Sequence, residues 1–136
     1  MFGLTPKLPI VLDPNSGFML KQTYRGLAIQ NLTNILLTSP GERIMDPEFG
    51  VGVRRYLFQP NHDITYVDIE SRIRNQVITY LPFIAILNVT FSSADPYEPD
   101  SHLSTVASSV VDGNFLGIAI EFKIIPLGLK ETLKLP

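Results

Sequence analysis

The chain contains no cysteine, no tryptophan and only two histidines, His62 and His102, in 136 residues. Without cysteine there is no disulfide, no thiolate nucleophile and no cysteine-ligated metal centre. That usage fits a reducing compartment. The histidines belong to different polar loops, so neither a histidine-rich metal site nor a serine–histidine arrangement is indicated. The missing tryptophan removes a common aromatic platform for sugars. Charge of one sign is also lacking: 18 % of residues are charged and the net charge is -2, which gives no basic footprint for nucleic acid. No apolar run approaches the ~20 residues of a membrane span. The apolar opening MFGLTPKLPIVLDP is interrupted by Pro6 and Pro9, reaches Asp13 and has no basic start, so it is a poor secretory signal. The expectation is a soluble chain with no nucleic-acid partner, no direct membrane insertion and no cofactor.

What is present is a 45 % hydrophobic chain of single-domain size. Residues 1–17 read as an extended arm whose prolines exclude a helix, ending in the turn composition DPNSG at 13–17. Leu8, Ile10, Val11 and Leu12 are too apolar for a free tail; they cover the domain's own core or dock on another subunit. Residues 18–136 form the domain. Leu20, Tyr24, Leu27, Ala28, Leu32, Ile35 and Leu36 recur at helical spacing and predict a helix over 18–37, stopped by Pro40 and Gly41. A short helix is expected at 53–58. A second long helix follows, with Ile69, Ile73, Val77 and Tyr80 on its apolar face; Asp63 or Thr65 can cap it, and Thr65 with Asp68 resembles a capping box. Strands are expected at 83–91, with positions 83, 85, 87, 89 and 91 on one face, and at 116–125, with Ile118, Ile120, Phe122 and Ile124 inward. A hairpin turn is expected at Asp112-Gly113. The fold class is therefore α+β: two main helices, with a short helix between them, packed on a small, mostly antiparallel sheet.

One segment concentrates charge and turn residues: TSPGERIMDPEFG, residues 38–50. Glu42, Asp46 and Glu48 are the best acidic cluster for an enzyme, because glycoside hydrolysis uses two carboxyls ~5–9.5 Å apart. Nothing in the spacing supplies that geometry, an apolar wall or a sugar platform. SPGER also lacks the lysine and glycine pattern of a phosphate-binding loop. A locked structural loop explains the residues better. Gly41 and Gly50 permit unusual backbone angles, Pro40 and Pro47 limit freedom, and Met45 and Phe49 can serve as apolar anchors. Arg43 can engage a carboxylate bidentately: Glu42, Glu48 or an acid elsewhere.

The ordered combination of LLT at 36–38, GER at 41–43, DPEFG at 46–50 and LF at 57–58 resembles the gp25-like family of baseplate wedge proteins in contractile-tailed bacteriophages. It is also similar to the matching component of type VI secretion baseplates. The resemblance covers residues 20–127. Family members often carry Glu-Pro-Arg where the second long helix meets the first strand; here the sequence is Leu81-Pro82-Phe83, so an interaction resting on that ion pair does not transfer.

The resemblance implies a non-enzymatic assembly role in the tail baseplate of a virion, in a protein made in the host cytoplasm. The implied partners are a larger wedge protein, the tail sheath protein, and other wedge and tube-proximal proteins. The implied loop-locking or interface residues are Gly41, Glu42, Arg43, Asp46, Pro47, Glu48, Phe49, Gly50, Leu57 and Phe58. Sheath assembly is implied to proceed by strand addition at an open sheet edge. The strand assigned to that role carries Ile118, Ile120, Glu121, Phe122 and Lys123, with the segment 127–135 laid beside it as the alternative edge. The competing functions are a lysozyme-like cell-wall hydrolase using the loop carboxylates and a type VI secretion baseplate component.

Overall fold

The computed structural model describes residues 3–14, 17–60, 62–92 and 117–135. The expected Asp112-Gly113 hairpin and nearly all of the expected loop before it lie outside these residues. The N-terminal segment is a folded ribbon. Strand β1 (Thr5–Pro6) pairs antiparallel with β4 (Leu20–Lys21), and β2 (Leu12–Asp13) pairs with β3 (Gly17–Phe18). Further amides close the ribbon: Leu4 N donates to Lys21 O at 2.8 Å and Lys7 N to Met19 O at 2.8 Å. The reversal falls between Asp13 and Gly17, as the turn composition indicates.

This pairing corrects the start of the first helix. Helix α1 runs Tyr24–Leu37, six residues shorter at its N-terminus than the expected 18–37. Leu20 mimics a helical stripe because it stands four residues before Tyr24, but its backbone belongs to the ribbon. Thr23 sets the boundary: its backbone is extended (φ -109, ψ 138) and its hydroxyl accepts from Gly26 N at 3.2 Å, which satisfies one orphan amide. Ala28, Leu32, Ile35 and Leu36 are buried, Leu27 is half-buried, and Tyr24 is exposed.

Gln30 lies off the apolar stripe of α1 but is buried because the ribbon covers it. Its amide donates to Pro6 O at 2.9 Å and accepts from Leu8 N at 3.1 Å. The ribbon is thus held on its own domain, while Leu8, Ile10, Leu12 and Phe18 remain exposed.

A 3-10 helix spans Val53–Phe58 and α2 spans Asp63–Tyr80. Ile69, Ile73 and Val77 are buried in register, as their spacing requires. The expected capping box does not form. His62 occupies the cap position, Thr65 Oγ1 donates to Pro60 O, and Asp68 lies too far into the helix to reach its first amides. Asp68 instead accepts from Tyr56 Oη at 2.5 Å and from Arg72 Nε at 3.2 Å, tying the 3-10 helix to α2.

The main sheet has the order β5-β6-β7, all antiparallel, from Ile84–Ser92, Gly117–Ile124 and Leu129–Leu135. Ile118, Ile120, Phe122 and Ile124 all enter the core as the alternation dictates. In β5 the expected single face is broken. A register shift between Ile86 and Asn88 leaves Leu87 as an extra, exposed residue. Ile84 and Ile86 before it, and Val89 and Phe91 after it, therefore pair opposite the same core-facing row of β6. The Tyr66 ring stacks on Phe91 at 4.8 Å, joining α2 to the sheet.

The sheet order also corrects the assignment of an open edge to residues 116–125. Strand β6, with Ile118, Ile120, Glu121, Phe122 and Lys123, is the middle strand and is paired on both sides. The turn Ile125–Gly128, with Gly128 at φ 65, folds Leu129–Leu135 back along it. Among the described residues, the edge beyond β6 is β7.

Two outcomes follow from this packing. Replacing fully buried Leu32 or Ile73 by alanine should lower unfolding free energy by about 2–5 kcal/mol, read from urea denaturation. Burial, followed by the hydrogen bond to Asp68, pushes the Tyr56 phenol up to about 12. The folded state thus favours the protonated phenol. Its contribution is complete below the unfolded value near ~10 and is lost as pH rises through about 12. Tyr56→Phe should flatten the loss of stability across that alkaline window and cost about 1 kcal/mol at neutral pH, measured by denaturation at successive pH values.

Candidate protein interface

Between α1 and the 3-10 helix the chain makes a loop closed at its base by its own backbone. Thr38 ends α1, its N–H and hydroxyl both donating to Asn34 O. Ser39 N donates to Glu42 Oε2 at 3.1 Å, and Gly41 N to Pro47 O at 2.9 Å. Val51 N then donates to Ile35 O at 2.9 Å, returning the chain to α1. Gly41 and Gly50 have φ of 91 and 108, which glycine adopts without the penalty of a side chain. At Gly50 the space is decisive as well: a Cβ would lie 2.2 Å from Thr38 O.

Helix α2 grips the same segment. Gln76 Nε2 donates to Glu48 O at 2.9 Å, and its Oε1 accepts from Gly50 N at 2.8 Å. Phe49, between these residues, is buried and meets the Tyr80 ring edge-on at 4.9 Å. Tyr80 Oη donates to Asp46 Oδ1 at 3.1 Å, and that bond is the main cause of the raised Tyr80 pKa. The Arg43 guanidinium lies 3.5 Å above the Phe49 ring. Arg43, Phe49, Tyr80 and Asp46 thus form one continuous chain of contacts from solvent to α2.

The expected pairing of Arg43 with Glu42 or Glu48 does not occur within the chain. Glu42 is engaged with the Ser39 amide, and among the described residues no carboxylate lies within ion-pair distance of Arg43. The guanidinium stacks on Phe49 by cation–π attraction instead. Met45 is not an anchor either. It is 97 % exposed and Ile44 is 95 % exposed, so the loop joins a fixed base to an apolar tip. Gly41, Glu42, Arg43, Asp46, Pro47, Glu48, Phe49 and Gly50 are gathered in this loop. Leu57 and Phe58 lie on the following 3-10 helix, where both are exposed.

Sequence reasoning gave Gln76 no part in the loop and placed Tyr80 only on the apolar face of its helix. The available signal was weak: Gln76 adjoins buried Val77, on the flank of the apolar stripe. The corner at Leu81-Pro82-Phe83 is closed by apolar packing, with Leu81 buried and Phe83 against the core.

The sequence profile described as baseplate wedge protein gp25 matches residues 28–112, more than half of the chain, including this whole loop. The chain belongs to the gp25 family of baseplate wedge proteins. It is accordingly a structural, non-catalytic subunit of a contractile-tail baseplate, where wedge proteins assemble with other wedge and sheath components.

Two solved structures share the fold of this wedge protein, and a third shows a weaker likeness. A crystal structure from Geobacter sulfurreducens, described provisionally as a tail lysozyme, is 25 % identical with a TM-score of 0.64, covering 87 % of this chain and 93 % of that one. A chain of the anti-feeding prophage baseplate is 21 % identical with a TM-score of 0.67, covering 87 % and 82 %. A chain of the postcontracted pyocin R2 baseplate is 25 % identical with a TM-score of 0.47, covering 74 % and 99 %. A search among curated proteins gives no match.

The wedge loop gives a direct test. Gln76→Ala leaves the buried Gly50 amide without its acceptor and should cost about 1–3 kcal/mol in denaturation. Gly50→Ala should cost more, because the new methyl collides with the Thr38 carbonyl as well as opposing the backbone angle. Equal or smaller loss in Gly50→Ala would contradict this account of the loop.

Proposed function

We propose that this wedge subunit is fixed to a larger wedge protein through the braced loop and presents β7 as the platform on which the tail sheath starts. The observation that carries the second part is the sheet order: β6 is paired on both sides, and β7 is paired as a strand only with β6 among the described residues. An open edge offers main-chain amides and carbonyls to an added strand, and a designated partner also removes the aggregation liability of that edge.

The loop supports the first part. Its base is over-determined by Gln76, Tyr80 and the end of α1, while Arg43, Ile44 and Met45 face outward. The guanidinium donors of Arg43 face no carboxylate of this chain within pairing distance, which suits an acidic residue of the partner. A lysozyme-like reading carried over from the Geobacter sulfurreducens protein would need two carboxyls held across a sugar cleft. Here Glu42 holds the Ser39 amide and Asp46 accepts from Tyr80.

Two measurements test the proposal. Arg43→Ala should weaken capture of the large wedge protein in a quantitative pull-down while leaving the fold intact; wild-type capture would remove Arg43 from the interface. In assembled baseplates, hydrogen exchange should show outward-pointing amides of Leu129–Leu135 becoming protected when sheath is added. If they exchange freely in both states while sheath is attached, the strand-addition role fails and the wedge assignment stands.

A further inference from the structure

We propose that the strand received by β7 is apolar on its inward face and acidic on its outward face. This deepens the strand-addition reading above and rests on it. The argument starts from the register of β7 on β6. Leu133 and Leu135 stand opposite Ile120 and Ile118, point inward and are only partly buried against the core. An apolar residue of a strand added beside β7 would cover part of the apolar surface they leave exposed. Glu131 also points inward, opposite Phe122, but it is already neutralised. Arg25 of α1 grips both its carboxylate oxygens, at 2.6 and 2.7 Å.

The outward face has no such balance. Lys130 of β7 stands directly opposite Lys123 of β6, and Lys134 stands opposite Ala119. Like charges placed directly across a ladder repel. Glu121, opposite Thr132, is the one acidic residue on the outward rows of β6 and β7. Among the described residues no carboxylate lies within ion-pair distance of Lys123, Lys130 or Lys134. The outward positions of β5 paired with this part of β6 are Ala85, Asn88 and Thr90, all uncharged. A net positive sheet face therefore stands on a chain whose net charge is -2.

A strand hydrogen-bonded to β7 would run ~5 Å from it, bringing its outward side chains beside Lys130 and Lys134. Aspartate or glutamate there relieves the Lys123–Lys130 repulsion, and lysine or arginine adds to it. The same pattern rejects a second copy of this chain. In an antiparallel pairing of two β7 strands centred on Thr132, Lys130 of each would face Lys134 of the other. The lysines thus act against self-association and in favour of an acidic strand.

The test uses three labelled synthetic peptides of equal length, alternating valine with glutamate, threonine or lysine. Each is titrated against the full-length protein by fluorescence anisotropy, with hydrogen exchange reporting where it binds. The glutamate peptide should protect β7 amides and bind about tenfold more tightly than the threonine peptide, with the lysine peptide weakest. The double variant Lys130→Glu with Lys134→Glu should invert the order of glutamate and lysine peptides, while its circular dichroism and melting temperature stay those of the parent. Equal binding of all three peptides, with β7 protected, overturns the charge preference and leaves strand addition standing. No binding by any peptide, or binding without protection of β7, overturns both.

Discussion

At Gly50 the backbone passes so close to Thr38 that a side chain has no place, and the geometry of the motif depends on that approach. It lets the chain double back against the C-terminal end of α1, so that Val51 can donate to Ile35. It also turns the Gly50 amide toward α2, where Gln76 receives it. Phe49 is directed inward by the same reversal and brings Arg43 and Tyr80 together on its ring. The constraint is steric, and the hydrogen bonds then keep what sterics permit. The charged residues of the loop surround this approach and do not create it.

Two glutamines perform the same task at different ends of the molecule. Gln30 holds the carbonyl of Pro6 and the amide of Leu8; Gln76 holds the carbonyl of Glu48 and the amide of Gly50. In both cases a primary amide reads a carbonyl and the N–H two residues later, as a neighbouring strand would. The side chain is well matched to this use, since it carries one acceptor and two donors on a planar group. Irregular backbone can then lie against a helix without leaving polar groups unpaired.

Much of the fold is legible from periodicity because burial is one-sided. The stripe Ile69, Ile73, Val77 and the alternation from Ile118 to Ile124 appear in the structure as read. The short helix at 53–58 is also legible in its bounds. Where two periods agree locally, the reading fails: Leu20 satisfies a helical stripe while belonging to a strand, and only Thr23 marks the change. The bulge at Leu87 was hidden because every residue from Phe83 to Leu87 is apolar, and a polar face starts only after it, at Asn88 and Thr90. In the candidate interface the turn chemistry of Gly41, Pro47 and Gly50 was visible. The partners were not, because Gln76 lies 26 residues beyond Gly50 and carries no pattern that points back to it. Arg43 stacks on an aromatic ring and pairs with none of the nearby acids, an outcome that only three-dimensional placement resolves.

The bulge at Leu87 bears on the direction in which the sheet can grow. Regular ladders extend because each strand repeats the spacing of the one before it, and an added residue interrupts that repeat and increases local twist. A straight incoming strand laid along β5 would meet this dislocation in mid-strand, whereas β7 keeps an unbroken register over its whole length. Among the described residues the two margins, β5 and β7, are therefore unequal templates. Under the proposed strand addition the sheet has a polarity: β7 is the regular side to extend, and β5 the interrupted one.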